Sequence, residues 1–233
     1  MADLIVAGGG PAGLATAIFA ARAGLRAQVF DRRPPRAQES NPTHLDKACG
    51  EGLMPAGLVE LRRMGVEIPP WGRHPFVGVR YVRGKRQAEG RFRHGTGMGV
   101  RRTALMAGLL GRARELGVDL HYGHGVNTWR SEGQSVVVGT TLGECSARLL
   151  VGADGLHSRL RKQQGLEVPS RVAHRGRFGV RMHFDVEPWD DWVEVHWGRR
   201  AEAYVTPVGP RLVGVAILWN GMIRLLRQNI RYI

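Results

Sequence analysis

The sequence has few of the features that mark a secreted, membrane-spanning or metal-binding protein. Only two of its 233 residues are cysteine, Cys49 and Cys145, which is too few for a disulfide framework or a thiolate metal site. The longest largely apolar run, residues 14–21, is too short to cross a bilayer. The amino terminus has no basic stretch of the kind that opens a signal peptide. We therefore expect a cytoplasmic protein with no metal site and no transmembrane segment.

Lysine is also scarce, although the formal net charge is +14. It occurs only at positions 47, 85 and 162, so the basic excess is almost entirely arginine, scattered from Arg22 to Arg231. Nucleic-acid binders usually concentrate their charge on one face or one arm. We therefore expect no nucleic-acid partner and interpret the charge as one that suits anionic cofactors.

The amino-terminal segment, residues 1–31, has the order strand, glycine turn, helix, strand, acid. Gly8, Gly10 and Gly13 form G-x-G-x-x-G directly after a short apolar run. Gly8 permits the tight turn, Gly10 lets a pyrophosphate approach the backbone, and Gly13 lets the helix pack closely on the strand. The pattern predicts a dinucleotide site at the amino terminus of that helix, where free N–H groups and the helix dipole favour phosphate.

The residues beside these glycines complete the predicted site. Pro11 and Ala12 lie within the turn, and the second strand ends at Asp31, 18 residues after Gly13. That spacing is typical of an acid that accepts hydrogen bonds from an adenosine ribose. Arg32 follows the acid and is included among the cofactor-binding candidates.

The remainder of the chain predicts further helices and a second sheet. Helices are expected to begin at Pro55 and to span residues 100–116 and 156–164. Beyond residue 175, Phe178 and the next four apolar side chains, up to Val186, occupy every second position, which predicts an antiparallel sheet with one apolar face. The tryptophans in and near these strands either line a pocket for an aromatic or apolar substrate or pack the sheet against its neighbour.

Three segments together resemble the FAD-dependent monooxygenases of the para-hydroxybenzoate hydroxylase type and their relatives, the geranylgeranyl reductases. Residues 8–31 are similar to the ADP-binding fingerprint of that family. Residues 102–105, Arg-Thr-Ala-Leu, resemble its R-x-x-L motif. Residues 152–161 resemble its G-A-D-G-x-x-S-x-x-R motif, which plain NAD dehydrogenases lack.

The resemblance implies roles for individual residues. Arg102 would contact the flavin nucleotide, and Asp154 with Gly155 would serve the pyrophosphate or ribitol region. The backbone of Val126 would touch the adenine. Cys49 and Gly50 belong to a segment similar to the C-G-x-G loop near the isoalloxazine ring in the reductase branch. No catalytic residue can be assigned from the sequence.

The resemblance also implies the architecture. We expect an α/β chain with a Rossmann-like FAD-binding domain of the GR2-type over residues 1–172 and part of an antiparallel β-sheet substrate domain over residues 173–233. Residues 71–98 would add strands to the substrate side. The family's third FAD motif has no match in the sequence, so we expect the second domain to be incomplete at the C-terminus.

The implied function is that of an FAD-dependent monooxygenase. FAD would be reduced by NAD(P)H as co-substrate and would react with molecular oxygen to give a C4a-hydroperoxide, which would hydroxylate an aromatic or polyketide-like small molecule. Two alternatives stay open: a flavin reductase of isoprenoid double bonds that needs no oxygen, and a non-catalytic, truncated FAD-binding remnant. A plain NADP dehydrogenase is a weaker option, because Asp31 would repel a 2′-phosphate.

Overall fold

The computed structural model describes residues 1–33, 46–167 and 177–220. Most of the loop predicted over residues 32–46 and residues 173–176 and 221–233 of the predicted second domain lie outside these ranges. The helices are α1 (Pro11–Arg22), α2 (Pro55–Met64), α3 (Arg102–Glu115) and α4 (Arg159–Gln163). The strands are β1 (Ala2–Ala7), β2 (Ala27–Asp31), β3 (Gly52–Leu53), β4 (Arg73–Phe76), β5 (Gly78–Arg83), β6 (Arg86–Arg91), β7 (Gly97–Val100), β8 (Asp119–Tyr122), β9 (Val126–Glu132), β10 (Ser135–Thr140), β11 (Gly143–Gly152), β12 (Arg177–Phe184), β13 (Trp192–Trp197), β14 (Ala201–Gly209) and β15 (Leu212–Asn220).

Local sequence signals set several helix boundaries. The prediction for α2 is confirmed: Pro55 occupies its first turn, and Gly65 ends it with a left-handed φ of 71°. The prediction that α4 begins at residue 156 is wrong, because the helix begins at Arg159. The Ser158 hydroxyl caps the helix by accepting from the Arg161 N–H, so Ser158 immediately precedes its first residue.

The first sheet has the strand order β8-β2-β1-β11-β10-β9. Its β8, β2, β1 and β11 strands are parallel, whereas β11, β10 and β9 form an antiparallel meander. Helices α1 and α3 cover one face, where Leu14, Ile18 and Met106 are fully buried. Ile5 and Val138 are buried on the other face. Because β1 and β11 are parallel neighbours, the turns that follow them meet at one edge of this sheet, at the carboxyl ends of the two strands.

The second sheet has the order β12-β15-β14-β13-β5-β6. Neighbouring strands are antiparallel except for β13 and β5, which are parallel. Strands β5 and β6 thus join a sheet whose other members begin only at residue 177, and a small sheet of order β3-β7-β4 contacts β14. The predicted alternation over β12 is confirmed, with Arg181 and His183 on one face and the apolar side chains on the other.

The two faces of the second sheet have different surroundings. We call the face that carries His183 the inner face, because this side chain contacts Glu51, which directly precedes β3. The opposite, outer face of β12 carries partly exposed apolar side chains, of which Phe178 is 49% exposed. Within the described ranges no helix is long and apolar enough to span a membrane.

Candidate cofactor-binding site

The glycine turn between β1 and α1 is packed tightly except at Gly10. A Cβ atom at Gly8 would lie 2.3 Å from the Ala153 carbonyl oxygen, and one at Gly13 would lie 1.8 Å from the Gly8 carbonyl oxygen. A Cβ at Gly10 would meet nothing within 4 Å. Gly8 and Gly13 are therefore required by the fold itself, whereas Gly10 leaves open space in front of the helix.

That open space belongs to a cavity of about 540 Å³ at the edge where the turns after β1 and β11 meet. Most of the cofactor-binding residues predicted from the sequence line this cavity, namely Gly8, Gly10, Pro11, Ala12, Asp31, Arg32, Arg102, Val126, Asp154 and Gly155. Gly13 lies beneath the turn instead. Cys49 and Gly50 also lie outside the cavity lining. The three motifs of the sequence thus converge on one cavity, although they are spread over residues 8–161.

Asp31 is buried, and the chain itself already satisfies its carboxylate. Oδ2 accepts from the Gly9 N–H at 2.7 Å, while Arg33 donates from Nε to Oδ1 at 2.9 Å and from Nη2 to Oδ2 at 2.6 Å. Burial acts to raise the pKa of Asp31, but the hydrogen bonds and charge of Arg33 outweigh it, so the pKa lies below its ordinary value. The predicted ribose acceptor is therefore paired with Arg33, which was not among the predicted site residues.

Asp154 organises the opposite wall of the cavity. Its Oδ2 accepts from the Arg159 N–H at 2.7 Å and from the Leu160 N–H at 3.3 Å, which caps α4. Burial acts to raise the pKa of Asp154, and hydrogen bonds from Ser158 and these two N–H groups lower it below its ordinary value. Its other oxygen, Oδ1, is buried and has no hydrogen-bond partner within the described part of the chain. A buried acceptor without a partner at a cavity wall is suited to a ligand hydroxyl or bound water.

The cavity is rich in positive charge. Arg32, Lys47, Arg102 and Arg159 all line it, and among the described lining residues the only acids are Asp31 and Asp154. Burial, followed by the charges of neighbouring arginines, lowers the pKa of Lys47. Cationic side chains together with the amino terminus of α1 provide an environment that favours a pyrophosphate. The donor set, the open space at Gly10 and the unpaired oxygen of Asp154 therefore fit a dinucleotide.

Residues 47–51, here called the Cys49 loop, lie between this cavity and the inner face of the second sheet. Lys47 lines the cavity, and the Thr206 hydroxyl of β14 donates to the Gly50 carbonyl oxygen. Burial, and then the charge of Glu51, raises the pKa of the Cys49 thiol. A Cβ at Gly50 would lie 3.9 Å from the Tyr204 ring. Glu51, in the same loop, contacts the Arg102 N–H, Arg181 and His183 and was not among the predicted site residues. Its position as an acid between two glycines was the available signal.

Comparison with known proteins identifies the relatives of this architecture. A family model described as "FAD binding domain" matches residues 1–220. The chain is 30% identical over 182 residues to 12-dehydrotetracycline 5-monooxygenase/anhydrotetracycline 6-monooxygenase of Streptomyces rimosus, a match that covers 74% of this chain and 34% of that protein. It is 47% identical over 66 residues to menaquinone reductase of Mycolicibacterium smegmatis, covering 28% of this chain and 14% of that protein.

A solved structure with the same fold is PqsL of Pseudomonas aeruginosa. It superposes with a TM-score of 0.76 at 18% identity, over 94% of this chain and 60% of PqsL. The chain thus spans about a third of the length of the tetracycline-type relative and little more than half of PqsL.

Proposed function

Because this chain belongs to the FAD binding domain family, we propose that it holds FAD in the cavity beside the glycine turn and acts as a monooxygenase. It would use NAD(P)H and molecular oxygen to hydroxylate an aromatic or polyketide-like small molecule. The observation that carries this proposal is the convergence of the glycine turn, Arg102 and the Asp154 turn on one cationic cavity.

Each wall of the cavity would hold a different part of FAD. The pyrophosphate would lie at the amino terminus of α1, where Gly10 leaves room for it, and near the positive charge of Arg102. The adenosine ribose would meet the paired Asp31 and Arg33, with the adenine beside the backbone of Val126. Asp154 Oδ1 would accept a hydrogen bond from a hydroxyl of the cofactor.

FAD, when bound, supplies the redox chemistry, since it takes up hydride equivalents from reduced nicotinamide and passes electrons to oxygen. The chain supplies binding, orientation and the exclusion of water. The Cys49 loop lies between the cofactor cavity and the second sheet, so the substrate would lie on the inner face of that sheet.

Aromatic side chains on the inner face support this choice of substrate. Tyr81 and Tyr204 are both paired with Val195 in the sheet and so share its face. Trp197 lies on the same face two residues later, with its ring centroid 5.1 Å from that of Tyr81. Flat aromatic surfaces suit a planar substrate. The Streptomyces rimosus relative is named for 12-dehydrotetracycline and anhydrotetracycline.

The proposal is tested by oxygen uptake and NAD(P)H oxidation measured together on the full chain supplied with FAD and a panel of phenols and polyketides. Substrate-dependent consumption of both is expected. Gly10→Val should abolish it, because the added side chain enters the cavity. Gly111→Val is the matched control, since a Cβ there also meets nothing within 4 Å but lies in α3 away from the cavity. Equal turnover in both variants would contradict the proposal.

A second candidate function is supported by the match to menaquinone reductase and by the Cys49 loop. In this second function, the same FAD would reduce an isoprenoid double bond without oxygen. Turnover under strictly anaerobic conditions, followed by the loss of a double bond from a polyprenyl substrate, would favour this candidate over the monooxygenase. Turnover that stops when oxygen is removed would exclude it.

A further inference from the structure

Glu51 is a buried acid that connects three parts of the fold. Its side chain is 1% exposed, and its backbone has a φ of 55°, the only positive φ among the non-glycine residues that the structure describes. Its Oε1 accepts from the Arg102 N–H at 2.8 Å and from Arg181 Nη1 at 2.7 Å. Its Oε2 lies 2.6 Å from His183 Nε2. The carboxylate thereby joins the Cys49 loop, the start of α3 and strand β12.

The bond to Glu51 determines which nitrogen of His183 is basic. A carboxylate only accepts hydrogen bonds, so the nitrogen that faces it, Nε2, carries the proton in the neutral ring. The lone pair then lies on Nδ1. Among the described residues, Nδ1 has no hydrogen-bond partner. It is also not fully buried. The His183 side chain is 15% exposed, so this basic nitrogen is open to the space at the inner face.

We propose that His183 is a catalytic base, oriented by Glu51, for a substrate that carries a phenol or enol hydroxyl. This inference rests on the proposed function, because it places the substrate on the inner face. Nδ1 takes the hydroxyl proton: the substrate O–H bond breaks, the N–H bond forms, and the electron pair stays on oxygen. The resulting imidazolium is stabilised by the Glu51 carboxylate. The phenolate or enolate is richer in electrons at its ring carbons, which favours transfer of an electrophilic oxygen to them.

Neighbouring arginines hold the Glu51 carboxylate in the position that orients His183. Arg181 lies on the same strand as His183 and also contacts Asp46 through Nη2. Arg101, which precedes α3, places Nε 3.7 Å from Glu51 Oε1. Both arginines lie against Oε1, which leaves Oε2 for the imidazole. Glu51 therefore accepts from fixed cations on one oxygen and from the titratable ring on the other.

The same sheet carries a matched pair on its outer face. His196 Nε2 lies 2.7 Å from Glu194 Oε2, so the local chemistry is the same. His196 is 42% exposed, and Glu194 also accepts from Arg80 and Trp189. Because residues 194 and 196 alternate with the inner-face Val195, this pair points away from the Cys49 loop. It provides a control for any effect that depends on a strand His–Glu pair alone.

The test uses 4-nitrophenol, whose anion is coloured, with the full chain. Binding is measured by equilibrium dialysis, and the ionisation of the bound probe is followed by its visible absorbance against pH. The wild-type chain is expected to lower the pKa of the bound probe by about 1, because proton transfer to Nδ1 creates an adjacent imidazolium. His183→Gln should abolish that shift while keeping an N–H that can still donate to Glu51. His196→Gln should keep the shift.

An equal shift in all three proteins, no shift in the wild type, or no binding of the probe to the wild type would overturn the role of His183. FAD binding is measured in parallel on the same samples. Loss of FAD binding in the wild type together with a His183-dependent shift would overturn the proposed flavin chemistry but not the base. Retained FAD binding without the shift would overturn only the base.

Discussion

Arg33 closes over Asp31 with two nearly parallel hydrogen bonds, Nε to Oδ1 at 2.9 Å and Nη2 to Oδ2 at 2.6 Å. The acid is 5% exposed and the guanidinium 24%. A two-point contact of this kind is both stronger and more directional than a single ion pair. Asp31 is therefore held ready at the end of β2 before any ligand arrives, and a ribose hydroxyl would have to share it with Arg33.

Removing this partner should destabilise the protein even without a cofactor. Arg33→Gln leaves a buried carboxylate short of donors, and we expect the free energy of unfolding in urea to fall by about 1–3 kcal/mol. Arg26→Gln is the control, because its ion pair with Asp3 is long and its side chain is 74% exposed. That variant should unfold at the same urea concentration as the wild type. Equal losses of unfolding free energy in both variants would show that the buried Asp31–Arg33 pair contributes no more to stability than the exposed ion pair.

The same pair predicts how stability depends on acidity. The pKa of Asp31 is lowered in the folded chain, so its stabilising contribution is present above the pKa of the unfolded chain, near 4. It is lost as the pH falls through the lower folded value. The free energy of unfolding, measured by urea titration between pH 6 and pH 2 in steps of about 0.5, should therefore fall less steeply for Arg33→Gln than for the wild type. Parallel curves would contradict this assignment.

The glycines of the turn should separate into structural and ligand-facing positions. Gly13→Ala places a Cβ 1.8 Å from the Gly8 carbonyl oxygen, so we expect a loss of about 1–3 kcal/mol in stability or a failure to fold. Gly10→Ala meets nothing within 4 Å and should cost less than about 1 kcal/mol. Thermal or urea unfolding of the two variants, compared with the wild type, measures this difference. Similar losses of stability in both variants would mean that a side chain at position 10 also clashes with its surroundings.

Asp154 should contribute to both the fold and the cofactor. Asp154→Ala removes the acceptor for the Arg159 and Leu160 N–H groups, which should cost about 1 kcal/mol in the free energy of unfolding. We also expect FAD affinity to fall at least about tenfold, because Oδ1 would lose its ligand contact. Asp154→Asn keeps an acceptor for α4 and should recover most of the stability. Quenching of flavin fluorescence measures the affinity, and unchanged quenching in the alanine variant would exclude Asp154 from the site.

Much of the lining of this cavity could be predicted from the sequence because its signals are local. The glycine turn, the acid at the end of β2 and the boundaries of α2 all depend on residues within a few positions of one another. Arg33 was missed because nothing in the sequence distinguishes an arginine that folds back on Asp31 from the solvated arginines around it. The pair becomes visible only in the structure, where Arg33 folds over the buried carboxylate.

The inner-face cluster was beyond prediction for a different reason. Glu51 and His183 are 132 residues apart in sequence, and they meet only because β12 pairs into the second sheet opposite the Cys49 loop. The parallel pairing of β13 with β5 is equally non-local. Periodicity indicates that a strand has two faces, but it does not indicate which element each face will meet. The roles of the histidines in the sheet could therefore not be separated from sequence alone.

FAD binding is tested by titrating the purified 233-residue chain with FAD and recording visible absorption and flavin fluorescence after gel filtration. We expect one FAD bound per chain in the wild type and in Gly111→Val, with the flavin bands shifted from those of free FAD, and none in Gly10→Val. A wild-type chain that stays colourless after incubation with FAD, or a Gly10→Val chain that retains flavin as tightly as the wild type, would contradict this expectation.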